Sequence, residues 1–173
     1  MILITGCSGY IGSQIAYILS KRNIEFIGID NLSYSHLKNF KFNKKFYRTN
    51  ISDRFVYKLI KKKRIQTVIH AAAYAYVNES EKNRKKYNLN NVKNTKKFIN
   101  FCEKQKINNF IFLSSSNVYN DTSSVSNKNI KVNPKNTYGK NKLEIEKFLN
   151  KKKFKSKIIL RLYNIIGMQT NFK

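Results

Sequence analysis

The chain has 173 residues and a mass of 20.4 kDa, and 35 Lys+Arg against nine Asp+Glu give it a formal net charge of +26. With 41% apolar and 13% aromatic residues and a single proline, it is neither disordered nor collagen-like, and its length suits one domain with a buried core. No apolar run reaches the roughly 18–20 residues that span a bilayer. The start on MILIT carries no basic leader or cleavage site, and Cys7 and Cys102 cannot build a disulfide framework. The expectation is a cytoplasmic protein with no membrane partner.

In chain order, strands are expected at Ile2–Thr5, Glu25–Ile29, Phe46–Asn50, Thr67–His70, Phe110–Ser114 and Lys157–Leu162. Most are continuous β-branched or aromatic runs, which suits strands buried on both faces of a parallel sheet. Helices are expected between them at Tyr10–Lys21, Arg54–Lys63, Glu81–Lys104 and Tyr138–Asn150. In the longest, Tyr87, Val92, Thr95, Phe98, Ile99 and Cys102 recur at helical spacing and form a candidate buried stripe. The KKKR and KKKFK runs fall at helix ends, where cations complement the dipole. The polar segments Asn31–Lys45 and Asn120–Asn136 read as loops, the second holding Pro134. Regular alternation of strand and helix predicts a right-handed, doubly wound α/β domain with a Rossmann-like parallel sheet.

The charge has two explanations. Of the basic residues 29 are Lys and only 6 Arg, beside 24 Asn and 21 Ile, and Lys, Asn and Ile share adenine- and thymine-rich codons. Nucleic-acid readers lean on Arg forks and stacked aromatics. The composition therefore favours codon bias over a specific nucleic-acid partner, and a basic nucleic-acid-binding protein stands as the outlying alternative.

The first strand runs into TGCSGYIGS, with Gly6, Gly9 and Gly12 three residues apart. Between a strand and a helix such glycines allow the tight turn, the close approach of backbone to a pyrophosphate, and close helix–sheet packing. The free N–H groups of the following helix face the phosphates. Asp30 closes the second strand, where a carboxylate accepts both hydroxyls of an adenosine ribose and repels a 2′-phosphate. NAD is thus the expected cofactor.

A second constellation lies downstream. The fifth strand ends in LSSSNVY, and the last helix begins at TYGKNK, where Tyr138 and Lys142 share a face one turn apart. An ammonium beside a phenol lowers its pKa, which makes Tyr138 a candidate general base. With only His36, His70 and two distant cysteines, no metal site is expected.

Taken together, TGCSGYIGS, GIDNLSYS, TVIHAAA, YNLNNVKNT, FIFLSSSNVY, TYGKNK and LRLYNIIG resemble the extended short-chain dehydrogenase/reductase family, in particular its NAD-dependent sugar-nucleotide epimerases of the UDP-glucose 4-epimerase type. The resemblance implies a pyrophosphate loop at Gly6, Gly9, Tyr10, Ile11 and Gly12. It implies ribose contacts at Asp30 and Asn31, adenine contacts at Asn50 and Ile51, and a steadying asparagine at Asn91. Ser115, Tyr138 and Lys142 fall on the catalytic positions, with Tyr138 and Lys142 also meeting the nicotinamide ribose. The implied reaction is transient oxidation at C4 of a sugar nucleotide, a UDP-sugar by type, with Tyr138 as base. The related dehydratases carry Asp-Glu after the catalytic Ser/Thr, where this chain has Ser116 and Asn117.

Some positions depart from the resemblance: Ala75 replaces a lysine near the cofactor phosphates, Ala73 a glycine, and Tyr34 an asparagine contact, and Ile165 also differs. Residues 1–173 thus read as the NAD-binding domain alone, without most of the C-terminal substrate domain. As an isolated chain it is either an epimerase needing completion or a non-catalytic NAD-binding module. The family's dimer helices leave a homodimer open.

Overall fold

β1 (Ile2–Thr5) is buried at Leu3, Ile4 and Thr5 and pairs in parallel with strands on both sides, so its hydrogen-bonding groups are used on both edges. The computed structural model describes residues 1–36, 45–119 and 132–167. After β1 come α1 (Tyr10–Lys21), β2 (Phe26–Asp30), β3 (Phe46–Arg48), α2 (Arg54–Lys63) and β4 (Thr67–His70). The chain continues through α3 (Val77–Lys82), α4 (Arg84–Tyr87), a π-helical segment (Asn88–Asn94), α5 (Thr95–Lys104) and β5 (Asn109–Ser115). A 3₁₀ turn (Ser116–Val118), α6 (Thr137–Asn150) and β6 (Ser156–Leu162) complete it.

The six strands lie parallel in the order β3-β2-β1-β4-β5-β6, the expected doubly wound, Rossmann-like sheet. Strand order reverses between β1 and β4, where Thr5 sits beside both Ile29 and His70, so the carboxyl ends of β1, β2 and β4 open a common crevice. One face of the sheet packs Leu3, Ile27, Ile29, Val68, Phe110 and Phe112 against α2, α5 and α6 through Val56, Leu59, Phe98, Ile99, Ile145 and Leu149. The other face packs Ile4 and Phe26 against Ala16, Ile15 and Leu19 of α1. β6 closes the sheet with its Ile159 side on the larger core, while Ile158 and Leu160, alternating with it, are 43% and 41% exposed.

The expected helix over 81–104 is not continuous. Asn83, at φ −123° and ψ 47°, separates α3 from α4, and the four asparagines of Asn88–Asn94 sit in a π-helical stretch. Asparagine side chains compete for backbone partners and loosen regular helix, and the stripe from Tyr87 to Cys102 stays buried through the change of pitch. Lys61, Lys62 and Lys63 end α2 beside a left-handed Arg64, as their charge favours. The predicted loops at 31–45 and 120–136 fall largely outside the described residues.

His70 lies fully inside this core. Its Nδ1 is 2.7 Å from Thr5 Oγ1, its Nε2 3.3 Å from Thr95 Oγ1, and the rings of Phe98, Phe110 and Phe112 surround it. Burial, reinforced by the Lys142 charge, pushes its pKa from 6.5 down to about 3. The unfolded chain therefore takes up a proton that the native one refuses, so stability is lost as pH falls from 6.5 toward 3. The slope from this one group is about 1.4 kcal/mol per pH unit. Urea unfolding of His70→Gln across that window should show a shallower acid slope than the parent chain.

Candidate cofactor pocket and catalytic cluster

The turn after β1 is shaped by two glycines. Gly6 adopts φ +68°, and a Cβ there would lie 2.6 Å from Ala72 N, while one on Gly12 would lie 2.0 Å from Gly6 O. The result is a tight loop folded back on itself, Gly6 N and Cys7 N both donating to Ile29 O. α1 then starts at Gly9 with no side-chain cap and no acidic residue in its first turn. Its leading N–H groups and positive dipole end are thereby offered to an anion.

A cavity at the crevice between β1 and β4 is lined by Gly6, Gly9, Ile29, Asp30 and Asn31, and across from them by Thr49, Asn50 and Ile51 and by Ala71–Ala73, Tyr74 and Asn90. Tyr34 and Ser35 complete its rim. Asp30 is pre-set by its own loop: Oδ2 accepts from Ser8 N at 3.0 Å, and Oδ1 from Leu32 N at 2.8 Å and Ser35 Oγ at 3.1 Å. Asn50 turns its Oδ1 to Ser52 N and Oγ, at 3.1 and 3.0 Å, so that oxygen is already engaged and does not stand open to an adenine amino group.

The second cluster forms where β5 ends and α6 begins. Asn136 caps α6 by accepting from Gly139 N at 2.7 Å. Gly139 lets the helix approach the 3₁₀ turn so closely that a Cβ would lie 2.1 Å from Asn117 O. That contact brings Tyr138 to Ser115. Ser115 Oγ accepts from Asn117 N and Nδ2, both at 3.2 Å, and its side chain lies within reach of the Tyr138 phenol, whose pKa it lowers. Lys142 Nζ donates to Leu113 O at 2.6 Å and lies 5.6 Å from the centre of the Tyr138 ring.

The protonation balance differs from the sequence expectation. Burial raises the Tyr138 pKa above its usual 10, opposed by the Ser115 hydrogen bond, and burial lowers that of Lys142 to about 8. Desolvation is the largest cause at both groups, opposed at Tyr138 by Ser115 and at Lys142 by the Glu146 carboxylate.

Of the residues singled out by sequence, Gly6, Gly9, Asp30, Asn31, Asn50 and Ile51 share the cavity, and Ser115, Tyr138 and Lys142 share the second cluster. Tyr10, Ile11 and Gly12 do not line the cavity; Tyr10 instead donates to Gly167 O at 2.8 Å. Asn91 is buried behind the rim, its Oδ1 and Nδ2 each bonding the Tyr74 backbone at 2.9 Å, so it acts through Tyr74. Its neighbour Asn90 lines the cavity, and so does Thr49. Neither stands out in the sequence, because only the π-helical turn and the bend after β3 aim them inward.

A profile of the NAD dependent epimerase/dehydratase family matches residues 2–173. The chain belongs to this family. Members of the family use NAD and share the Rossmann-like sheet. The chain is 34% identical to a dTDP-D-glucose 4,6-dehydratase of Dictyostelium discoideum, covering 96% of this chain and 44% of the relative. It is 34% identical to a UDP-glucose 4-epimerase of Haemophilus influenzae, covering 96% and 53%. A solved UDP-glucose 4-epimerase from Brucella ovis, in complex with NAD, superposes with a TM-score of 0.86 at 31% identity, covering 94% of this chain and 51% of that one. The chain thus spans about half the length of the relatives it matches. No helix among the described residues is long and apolar enough to cross a membrane.

Proposed function

We propose that residues 1–173 are the NAD-binding domain of a sugar-nucleotide 4-epimerase that works on a UDP-hexose once the family's second half is present. The observation that carries this reading is the meeting of Ser115, Tyr138 and Lys142 at the carboxyl edge of the sheet that also bears the glycine-lined cavity. The cavity fits a dinucleotide. Gly9 leaves room where a side chain would stand, the start of α1 is uncapped and free of acid, and the Asp30 carboxylate is on the rim. The open Ile158 and Leu160 face of β6 offers the second half an apolar surface to cover. With both cysteines buried and reduced, a cytoplasmic setting belongs to the same reading, as does a homodimer, to be read from sedimentation.

Bound in this cavity, NAD supplies the acceptor and donor of hydride at sugar C4. Tyr138 takes the 4-hydroxyl proton and later returns it. Ser115, whose oxygen accepts from Asn117, turns its one hydrogen from the Tyr138 oxygen to the sugar oxygen when substrate is bound. Lys142, while protonated, steadies the phenolate. Net elimination of water needs acid–base groups beyond this trio. Ser116 and Asn117 supply none near neutral pH, which favours epimerisation over the chemistry of the dehydratase relative.

Calorimetry with NAD and turnover of UDP-galactose test this reading together. The chain should bind one NAD, and Gly9→Val should weaken binding at least tenfold; because a Cβ at Gly9 approaches Gly6 O to 3.3 Å, the melting temperature measured beside it separates lost binding from lost folding. UDP-galactose turnover should be negligible for the chain alone and should appear when the C-terminal half of a family relative is supplied. NAD binding with no turnover in any such complex would favour the non-catalytic module, and no NAD binding would refute the cofactor site.

A further inference from the structure

Resting on that cofactor reading, we propose that Tyr34 is a clasp that gates the NAD cavity, locked across the two cavity walls by Glu79 and Lys86. The two loops forming the cavity walls come from opposite sides of the crevice, one following β2 and the other following β4. Tyr34 belongs to the first wall and Tyr74 to the second, and their rings meet edge-to-face with centroids 4.9 Å apart.

The contact is held from outside the cavity. Tyr34 OH donates to Glu79 Oε1 at 2.6 Å and accepts from Lys86 Nζ at 2.7 Å, while Lys86 Nζ also reaches Glu79 Oε1 at 2.8 Å. The lysine ammonium lies 5.2 Å from the Tyr34 ring centre and 5.1 Å from that of Tyr74, so one cation attracts both rims. Glu79 is itself anchored from below. Its Oε2 accepts from the hydroxyl of fully buried Tyr87 at 3.1 Å, and the same hydroxyl accepts from Tyr76 N at 3.2 Å. The buried end of the network is rigid, while the Tyr34 end is 42% exposed and can swing out.

A lock made by the protein's own side chains across both cavity walls differs from a simple binding contact. A contact made only with ligand present slows release alone. A lock already formed must open for entry as well as exit, and it reduces the fraction of chain ready to bind.

Stopped-flow fluorescence of NADH binding, and of its displacement by excess NAD⁺, tests the clasp on the full chain. Tyr34→Phe keeps the ring and loses both hydroxyl bonds. It should raise the association and dissociation rates together, each by about tenfold, or about 1.4 kcal/mol, with Kd changing less than either rate. Glu79→Gln should move both rates the same way, and Arg84→Met, which loses only the neighbouring pair to Glu81, should leave them unchanged. Unchanged rates in Tyr34→Phe, or faster dissociation with unaltered association, would overturn the gate while leaving the NAD site standing. Failure of the parent chain to bind NADH would overturn both.

Discussion

Tyr138→Phe, in a complex supplying the family's second half, should lower UDP-galactose turnover by about 10²–10⁴-fold, about 3–5 kcal/mol of barrier. The variant removes one oxygen from a side chain that is 9% exposed and leaves its ring against Lys142. Tyr138 is absent from the walls of the cofactor cavity, so NAD affinity measured by calorimetry should stay within about threefold, well under 1 kcal/mol. That split between turnover and binding distinguishes a proton-transfer role from a structural one. Loss of NAD affinity equal to the loss of turnover would refute the assignment.

The pH profile carries a second sign. The proposed reaction needs Tyr138 as phenolate and Lys142 as ammonium. Burial raises the first pKa and lowers the second to about 8, so the two required states are opposed. Turnover should therefore fall on the alkaline side as Lys142 loses its proton. The acidic and alkaline limbs belong to the coupled pair rather than to either residue alone.

The glycine spacing, the Asp30 carboxylate and the Tyr138–Lys142 pair could be read directly, because each follows from local chemistry at a strand end or helix start. So could the parallel sheet, whose strands are nearly unbroken apolar runs. The break at Asn83 and the π-helical turn could not, since a buried stripe from Tyr87 to Cys102 is compatible with one continuous helix. Their effect on the site is large, because that turn presents Asn90 to the cavity and Asn91 to the Tyr74 backbone. The protonation of Lys142 was equally hidden. Its spacing from Tyr138 predicts attraction, but the depth of burial and the competing carbonyl of Leu113 appear only in three dimensions. The same holds for Tyr34, whose partners Glu79 and Lys86 lie 45 and 52 residues away.

The second large effect concerns stability and lies beside Ser115, at Ser114 and α6. Glu146, one turn beyond Lys142 on α6, is 3% exposed and accepts from Ser114 Oγ at 2.5 Å. It also accepts from Arg161 Nε at 3.0 Å and Nη2 at 2.7 Å, and Arg161 Nη1 donates to Tyr119 OH at 3.0 Å. The network joins β5, α6 and β6, so each member is held by elements far apart in sequence. Arg161→Met strands a buried carboxylate with one hydroxyl partner, and removal of one partner from such a pair costs about 3–5 kcal/mol. Against a typical domain stability of about 5–15 kcal/mol, urea unfolding should show a midpoint lowered by about a fifth or more with the slope unchanged. Glu146→Gln should cost less, about 1–2 kcal/mol, because the amide still accepts from the guanidinium and Arg161 is 30% exposed to water. The combined Arg161→Met, Glu146→Met chain should recover most of the loss, since an apolar pair of similar volume removes both desolvated charges together. A double variant as unstable as Arg161→Met alone would mean that Arg161 contributes through packing on β6 rather than by neutralising Glu146.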